Sequence, residues 1–409
     1  MKYILLIGDG MGDVPVPALN NQTPLEAAVT PAMDRLARAS EMLLVRTVPE
    51  GYPPGSDVAN LSLMGYEPEL YYTGRAPLEA ASLGVELAPE DIAFRCNLVH
   101  VEQPGDGRLV MVDYSSGHIT TEESRQLIAA LQAECGNDAL ALHPGVSYRH
   151  LLVYRGVVPA GFATVPPHDH SDQDVAGYYQ AYRQVEAFGP LLERAREILA
   201  DHPVNRERAR QGKRTANCIW LWGEGKRPAM ETLEKRFGIR GGLISAVDLL
   251  KGIGVLGGLE VIDVPGATGY LDTNYEGKAQ AALKVLEKDD FVLVHVEAPD
   301  ETGHQGLARE KVQAVADFDS RIVAPIVEEM ERRGEPFRLT ITMDHYTPIH
   351  RRTHEDWPVP MFIYDSRGVA APSGCTYTEA NVLAAVRENG LELPSGAAFF
   401  RRFVEREQV

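Results

Sequence analysis

Four stretches of this 409-residue chain set acidic, imidazole or hydroxyl side chains directly after apolar runs or tight turns. Asp9 follows YILLIG. Ser56 and Asp57 stand in GYPPGSDVANLSLMGY (51–66), behind two prolines and a glycine. Asp300 and His304 lie in VHVEAPDETGHQG. Asp344 and His345 end TITMDH, and His354 comes further along the same polar segment. Carboxylate, imidazole and hydroxyl in this mixture suit Mn²⁺, Zn²⁺, Fe²⁺ or Mg²⁺, and three Asp, three His and one Ser are enough donors for two ions. With no cysteine in the set and a hydroxyl present, Mn²⁺ or Mg²⁺ is favoured over structural zinc.

Taken singly, each group has a plainer reading. Ser56 and Asp57 suit the start of the helix expected over 58–64, where a hydroxyl or carboxylate caps free N–H groups. An Asp at a strand end is most often a cap or loop anchor. Capping alone does not explain four separate sites that each deliver a metal-type ligand. A serine hydroxyl is a weak nucleophile near neutral pH and needs a base or a metal. Coordination lowers the pKa of a hydroxyl, and a helix N-terminus favours the negative charge that results. No GxSxG elbow and no local His/Asp partner accompanies Ser56, so metal activation is the expected route.

The elements that must position these groups alternate between strand and helix. Apolar runs at 3–7, 219–222, 259–264, 290–296, 337–343 and 358–364 read as buried strands. Helical patterns fall at 24–39 (interrupted near Pro31), 229–237, 245–252, 276–287 and 307–333. This predicts an α/β fold with a parallel-rich sheet between helices, in which ligands bind outside the carboxyl ends of the strands. From about 84 to 185 the pattern changes to strand-like pieces with an amphipathic helix over 122–134, followed by a helix near 186–200. The expected organisation is a discontinuous domain (1–83 and 211–409) carrying a smaller α+β insertion (84–210).

Composition narrows the function classes. A net charge of −18 argues against nucleic-acid or anionic-membrane partners, although a local cationic cluster can still bind a small anion. Cys96, Cys135, Cys218 and Cys375 form no CxxC pair and read as reduced thiols. The opening apolar run is too short for a leader or a membrane span, so a cytoplasmic protein is expected.

With these residues assembled, the chain resembles the alkaline phosphatase superfamily. Within it, the chain resembles the cofactor-independent phosphoglycerate mutases of archaeal type, which also occur in bacteria. IGDGMGD, GYPPGSDVANLSLMGYEP, YYTGRAPLEAASLGV, AFRCNLV, GVSYRHLLVYRG, VPPHDHSDQ, VPGATGYLDTNYEGKA, HVEAPDETGHQG and MDHYTPIHRRTHEDWPVP carry the likeness in order along nearly the whole chain. The resemblance implies a phosphoserine on Ser56 that passes phosphate between the two hydroxyls of glycerate. It implies one divalent ion on Asp9, Ser56, Asp344 and His345, and another on Asp300, His304 and His354. Mn²⁺ is the expected ion, with Mg²⁺, Co²⁺ or Zn²⁺ as alternatives, and 2,3-bisphosphoglycerate is not required. It further implies that the insertion closes over a small phosphorylated substrate, using groups among Arg149, His150, His168, Asp169 and Lys226. His168, Asp169 and His170 are also a candidate for a loose third cation group.

Two places depart from the family pattern. Met343 and Tyr346 flank the Asp344-His345 pair where smaller residues are usual, and Trp357 precedes Pro-Val-Pro. They bear on the acceptor of the phosphate, for which two alternatives share the same first step. One is an amino-acid hydroxyl, as in a homoserine kinase-like phosphotransferase, and the other is water, as in a phosphomonoesterase. A binding protein that merely keeps the fold is disfavoured because no ligand position is lost.

Overall fold

The structure, a computed structural model, describes residues 1–369 and 371–404. The chain forms two compact units, one from Met1–Tyr72 together with the chain from Ala229 onward, the other from Thr73–Pro228. Among the described residues no helix is long and apolar enough to cross a membrane.

The discontinuous unit is built on an eight-stranded sheet. Its strands are β1 (Lys2–Gly8), β2 (Glu41–Val45), β8 (Gly241–Ile244), β9 (Glu260–Val261), β10 (Phe291–Val296), β11 (Phe337–Thr342), β12 (Val359–Asp365) and β13 (Glu392–Leu393), in the order β13-β2-β12-β11-β1-β10-β8-β9. β1 lies between β10 and β11, parallel to both, with Ile7 opposite His295 on one side and Thr342 on the other. All residues of β10 and β11 are buried, as expected for strands covered on both faces. β12 is antiparallel to both β11 and β2. β2 therefore runs in the direction of β1, β10 and β11. The carboxyl ends of these four strands share one edge of the sheet, and Asp9, the loop to Ser56, Asp300 and Asp344 all follow those ends.

The unit Thr73–Pro228 is wider on both sides than 84–210. Its antiparallel sheet contains β3 (Ile92–Glu102), β4 (Val110–Asp113), β5 (Leu140–Val146), β6 (Arg149–Tyr154) and β7 (Cys218–Lys226). The IWLW run expected in the large sheet is instead part of β7, paired with β3 through Cys96 and Leu221. The helix Arg75–Ser82 also belongs here, because Ala76 and Ala80 pack on Ala93, Leu151 and Val153. On the other sheet face, helices Thr121–Cys135 and Phe188–Asp201 bury Leu127, Leu131, Leu191 and Leu199 against Leu98, Leu152 and Trp220. Thr120 and Glu123 close the first of these helices with a reciprocal capping box. All four cysteines are free thiols.

Several element boundaries differ from the sequence reading, among them the helices expected over 229–237 and 245–252, which span Leu233–Phe237 and Asp248–Leu256. The run 259–264 is strand only at Glu260–Val261. The stretch 24–39 is interrupted near Pro31 as expected, into Pro24–Ala27 and Pro31–Arg38, each starting at a proline that suits a first helical position. Within 307–333 the helix is interrupted by a π turn at Asp319–Val323, which aims Asp319 at the N–H of Met33 (2.7 Å) and so caps the neighbouring helix.

A buried lysine ties the loop after β1 to the loop after β11. Lys311 Nζ donates to Gly12 O (3.0 Å), Asp13 Oδ2 (3.0 Å) and Thr347 O (2.8 Å). Asp13 Oδ2 also accepts from Ile349 N at 3.1 Å. Both side chains of the ion pair are fully buried. Lys311→Met should therefore cost about 3–5 kcal/mol, because it strands a buried carboxylate, and a second change, Asp13→Asn, should recover much of that. Urea unfolding of the two variants checks this; a loss below about 1 kcal/mol for Lys311→Met would contradict it.

Candidate active site

Asp344 is anchored before any ligand is considered, and Asp9 is not. Asp344 Oδ1 accepts from Gly10 N (3.2 Å) and His345 N (3.0 Å), and its Oδ2 accepts from Asn60 Nδ2 (2.8 Å). Gly10 has φ +56°, and a Cβ there would collide with Asp300 and Thr347, so only glycine lets the chain pass this close. Asp9 Oδ1 is buried and has no hydrogen-bond partner among the described residues. Burial and the neighbouring Asp344 and Asp300 carboxylates push the Asp9 carboxyl well above its ordinary range. Charge of this sign, held this close in a dry setting, calls for a cation.

Ser56 is the first residue of the helix Ser56–Leu63, but it does not cap it. Gly55 occupies the cap position and there is no side-chain cap bond, so the capping account of Ser56 is not what the structure contains. The hydroxyl instead faces His345, with Oγ 3.0 Å from Nε2. His345 Nε2 also lies 3.5 Å from Asp9 Oδ1 and 3.5 Å from Asp344 Oδ2. Asn60 holds the arrangement by donating to Ser56 O (2.8 Å) as well as to Asp344. Burial drops the His345 pKa to about 4, so near neutral pH the ring is a lone-pair donor.

A second group surrounds Asp300. His304 Nε2 is 3.2 Å from Asp300 Oδ2, His354 Nε2 is 3.5 Å from Oδ1, and the two Nε2 atoms are 2.9 Å apart. Each ring meets a backbone carbonyl at Nδ1: Arg352 O at 3.0 Å for His304, and Pro54 O at 3.2 Å for His354. Donation from Nδ1–H turns Nε2 inward, the orientation that metal-bound imidazoles adopt. Burial alone would lower the His304 pKa, but the Asp300 carboxylate outweighs it and raises the value to about 9. Among the described residues, three overlapping sets have ligand atoms close enough to hold an ion: Asp300, His304 and His354; Asp9, Asp300 and His345; and Asp9, His295 and Asp344. The donor chemistry and the orphaned Asp9 oxygen fit divalent cations.

All seven residues read from the strand ends thus converge. His295 was missed, because in FVLVHV it reads as one more buried strand position. Met343 and Tyr346 both pack under Gly12, and Tyr346 meets Trp357 edge-on with centroids 5.3 Å apart.

The unit Thr73–Pro228 carries its own cationic cluster. The Arg95 guanidinium lies 4.0 Å from the Trp222 ring centre and pairs with Glu79 at 3.0 Å; Arg75 lies 5.9 Å from the same ring. Burial and the nearby Arg75 and Arg149 lower the Arg95 pKa to about 10, against the pull of Glu79. Arg149 lies over Tyr148, and His168 meets Trp222 and Tyr114. Arg75 and Arg95 were not singled out from sequence; the signal available was a charged residue inside the apolar run AFRCNLV.

The other expected substrate groups fare unevenly. His150 is buried on the core side, opposite Cys96, where its Nδ1 accepts from Gly145 N at 3.0 Å and burial lowers its pKa to about 3. It is a core histidine facing away from the strand side that carries Arg95 and Leu151. Lys226 is exposed and bound to Glu90 at 2.6 Å. Asp169 is exposed beside His168 at 3.6 Å. His170 meets Gln173 at 3.2 Å, and His168, Asp169 and His170 are not among the groups close enough to hold an ion.

Comparison with known proteins supplies the family. A family model described as 2,3-bisphosphoglycerate-independent phosphoglycerate mutase matches residues 37–205. A Methanosarcina barkeri protein with that name is 51% identical over 364 residues, spanning 89% of this chain and 90% of the relative. Among solved structures, a Pyrococcus horikoshii protein superposes with TM-score 0.81 at 28% identity, covering 100% and 99% of the two chains. A cofactor-independent phosphoglycerate mutase from Thermoplasma acidophilum gives TM-score 0.65 at 27% identity, covering 99% of each chain.

Because His304 holds a proton below about pH 9 in the cation-free protein, an incoming ion must displace it. Mn²⁺ affinity should rise with pH up to that value, and calorimetry in buffers of different ionisation enthalpy should show proton release near neutral pH. A pH-independent affinity without proton release would contradict the arrangement.

Proposed function

Since the chain belongs to the 2,3-bisphosphoglycerate-independent phosphoglycerate mutase family, we propose that it is an isomerase that interconverts 3-phosphoglycerate and 2-phosphoglycerate through a phosphoserine on Ser56. The observation that carries this reading is the Ser56 hydroxyl. It is half-buried and free of any capping duty, and it lies 3.0 Å from His345 beside the buried Asp9 and Asp344 carboxylates.

Two divalent ions, Mn²⁺ by preference, would be held by Asp9, Ser56, Asp344 and His345 and by Asp300, His304 and His354. When bound they supply charge neutralisation for phosphoryl oxygens and make the serine hydroxyl more acidic. Ser56 Oγ gives up its proton as it attacks the substrate phosphorus, the phosphorus–oxygen bond to glycerate breaks, and the freed glycerate oxygen takes up a proton in its place. Glycerate turns, its other hydroxyl gives up its proton as it attacks the phosphoserine, the phosphorus–Oγ bond breaks, and Ser56 Oγ takes a proton back. The first N–H groups of the helix Ser56–Leu63 favour the negative charge that gathers beside Oγ. Asn60 keeps the serine and Asp344 in register. With a pKa near 4, His345 is a poor store for the serine proton at neutral pH, which disfavours a Ser–His dyad working without a cation.

Arg75, Arg95 and Arg149 supply the fork-shaped cations that suit the carboxylate and phosphate of a phosphoglycerate. Burial first, and then the arginine charges, lower the His168 pKa. A neutral ring of that kind can pass a proton between the two glycerate hydroxyls, with Asp169 adjacent. The protein works on a small phosphorylated substrate in the cytoplasm.

Phosphorus NMR of the Mn²⁺-loaded protein with 3-phosphoglycerate, without 2,3-bisphosphoglycerate, tests the reading. The 2-phosphoglycerate resonance should appear without inorganic phosphate, vanish with EDTA and return with Mn²⁺. Ser56→Ala should fold and lose the conversion; retention above about a hundredth of the wild-type rate would sink the phosphoserine. Free phosphate alone would indicate water as acceptor. Turnover only with ATP and homoserine would indicate the kinase-like alternative.

A further inference from the structure

His295 stands one residue before the end of β10 and is fully buried, yet only one of its ring nitrogens is satisfied. Nδ1 lies 3.2 Å from Glu297 Oε1 and 3.5 Å from Ser245 Oγ. Glu297 is in turn clamped: its Oε1 accepts from Ser245 Oγ and from Ala246 N, both at 3.0 Å, and its Oε2 accepts from Lys278 Nζ at 3.1 Å. Lys278, also fully buried, donates to His295 O at 2.9 Å. Glu297 accepts from every donor around it, so the proton on Nδ1 points to Glu297 and Nε2 presents its lone pair.

That lone pair faces more lone pairs. Nε2 lies 3.3 Å from Asp9 Oδ2, in a geometry that makes no hydrogen bond, and within reach of Asp344. Asp9 divides its oxygens between two imidazoles, Oδ1 toward His345 at 3.5 Å and Oδ2 toward His295. A core histidine satisfied through Glu297 alone would leave Nε2 buried and unsatisfied, a state that protein interiors rarely carry without a use. Carboxylate, imidazole, then further carboxylates around a common point is the pattern in which an outer carboxylate orients a metal-bound histidine.

We propose that His295 Nε2 is a ligand of the divalent cation held by Asp9 and Asp344, and that Glu297, fixed by Lys278, Ser245 and the Ala246 N–H, sets the ring in its ligating tautomer. This adds an imidazole on the Asp9 oxygen opposite to the one that faces His345. It rests on the reading that Asp9 and Asp344 bind a cation. The pair Lys278–Glu297 acts only through His295 and is a positioning device.

Anomalous diffraction from crystals of the wild-type protein loaded with Zn²⁺ reads the bond directly. The expected result is an ion on Asp9 and Asp344 with His295 Nε2 about 2.1 Å away. An ion on those carboxylates with Nε2 farther than about 3 Å away overturns the inference and leaves the proposed function standing. Absence of any ion at Asp9 and Asp344 overturns both. In solution, His295→Gln should weaken Mn²⁺ binding at this position by tenfold or more, and Glu297→Gln should weaken it by roughly 10–100-fold. Binding at Asp300, His304 and His354 should stay unchanged in both variants. A merely structural role would lower the melting temperature of the metal-free protein without separating the two affinities, and that pattern also overturns the inference. If His295→Gln fails to fold, the wild-type crystal decides alone.

Discussion

Mutual repulsion among buried carboxylates is the constraint on which the rest of the structure depends. Asp9, Asp300 and Asp344 meet at one edge of the large sheet with Glu297 behind them, and all four are buried. Bringing like charges together in a dry setting is unfavourable unless each oxygen has a donor or a cation. Asp344 is met by two backbone N–H groups and Asn60, Glu297 by Lys278, and Asp13 by Lys311. Asp9 keeps one oxygen without a partner, and its carboxyl is correspondingly pushed up. The protein thus neutralises the acidic groups that frame the site and leaves the Asp9 oxygen uncompensated, where a cation would fit.

The parallel sheet makes this arrangement possible at modest cost. Four strands running in one direction deliver their following loops to the same edge without long excursions of the chain. Glycine at position 10 lets the first loop pass over Asp300, and Lys311 pins it to the loop after β11. The serine follows β2 at the same edge, on the first turn of the helix Ser56–Leu63. Its freedom from capping follows from Gly55, which takes the cap position with an extended backbone.

Much of this was legible from the residues. Polar side chains that stop an apolar run are conspicuous, and a parallel sheet gathers them, so the Asp9, Asp300 and Asp344 positions followed from pattern alone. His295 did not, since an imidazole inside FVLVHV has the period of a core strand and only the three-dimensional neighbours show what its second nitrogen faces. Arg95 was hidden in the same way inside AFRCNLV. IWLW was assigned to the wrong sheet because an apolar run does not encode its partner, and β3, long enough to pair on both sides, captured it. His150 misled for the opposite reason: its neighbour Arg149 is exposed, and alternation along a strand puts the next side chain into the core.

The proposed phosphoserine on Ser56 carries the phosphoryl group between the two glycerate hydroxyls. Rapid acid quench of the Mn²⁺-loaded protein during turnover of 3-phosphoglycerate, followed by peptide mass mapping, tests it most directly. A phosphoryl group is expected on the peptide that contains Ser56, present during turnover and lost when the substrate is removed. Steady formation of 2-phosphoglycerate with no phosphopeptide at any quench time, or with the phosphoryl group on another residue, would contradict it.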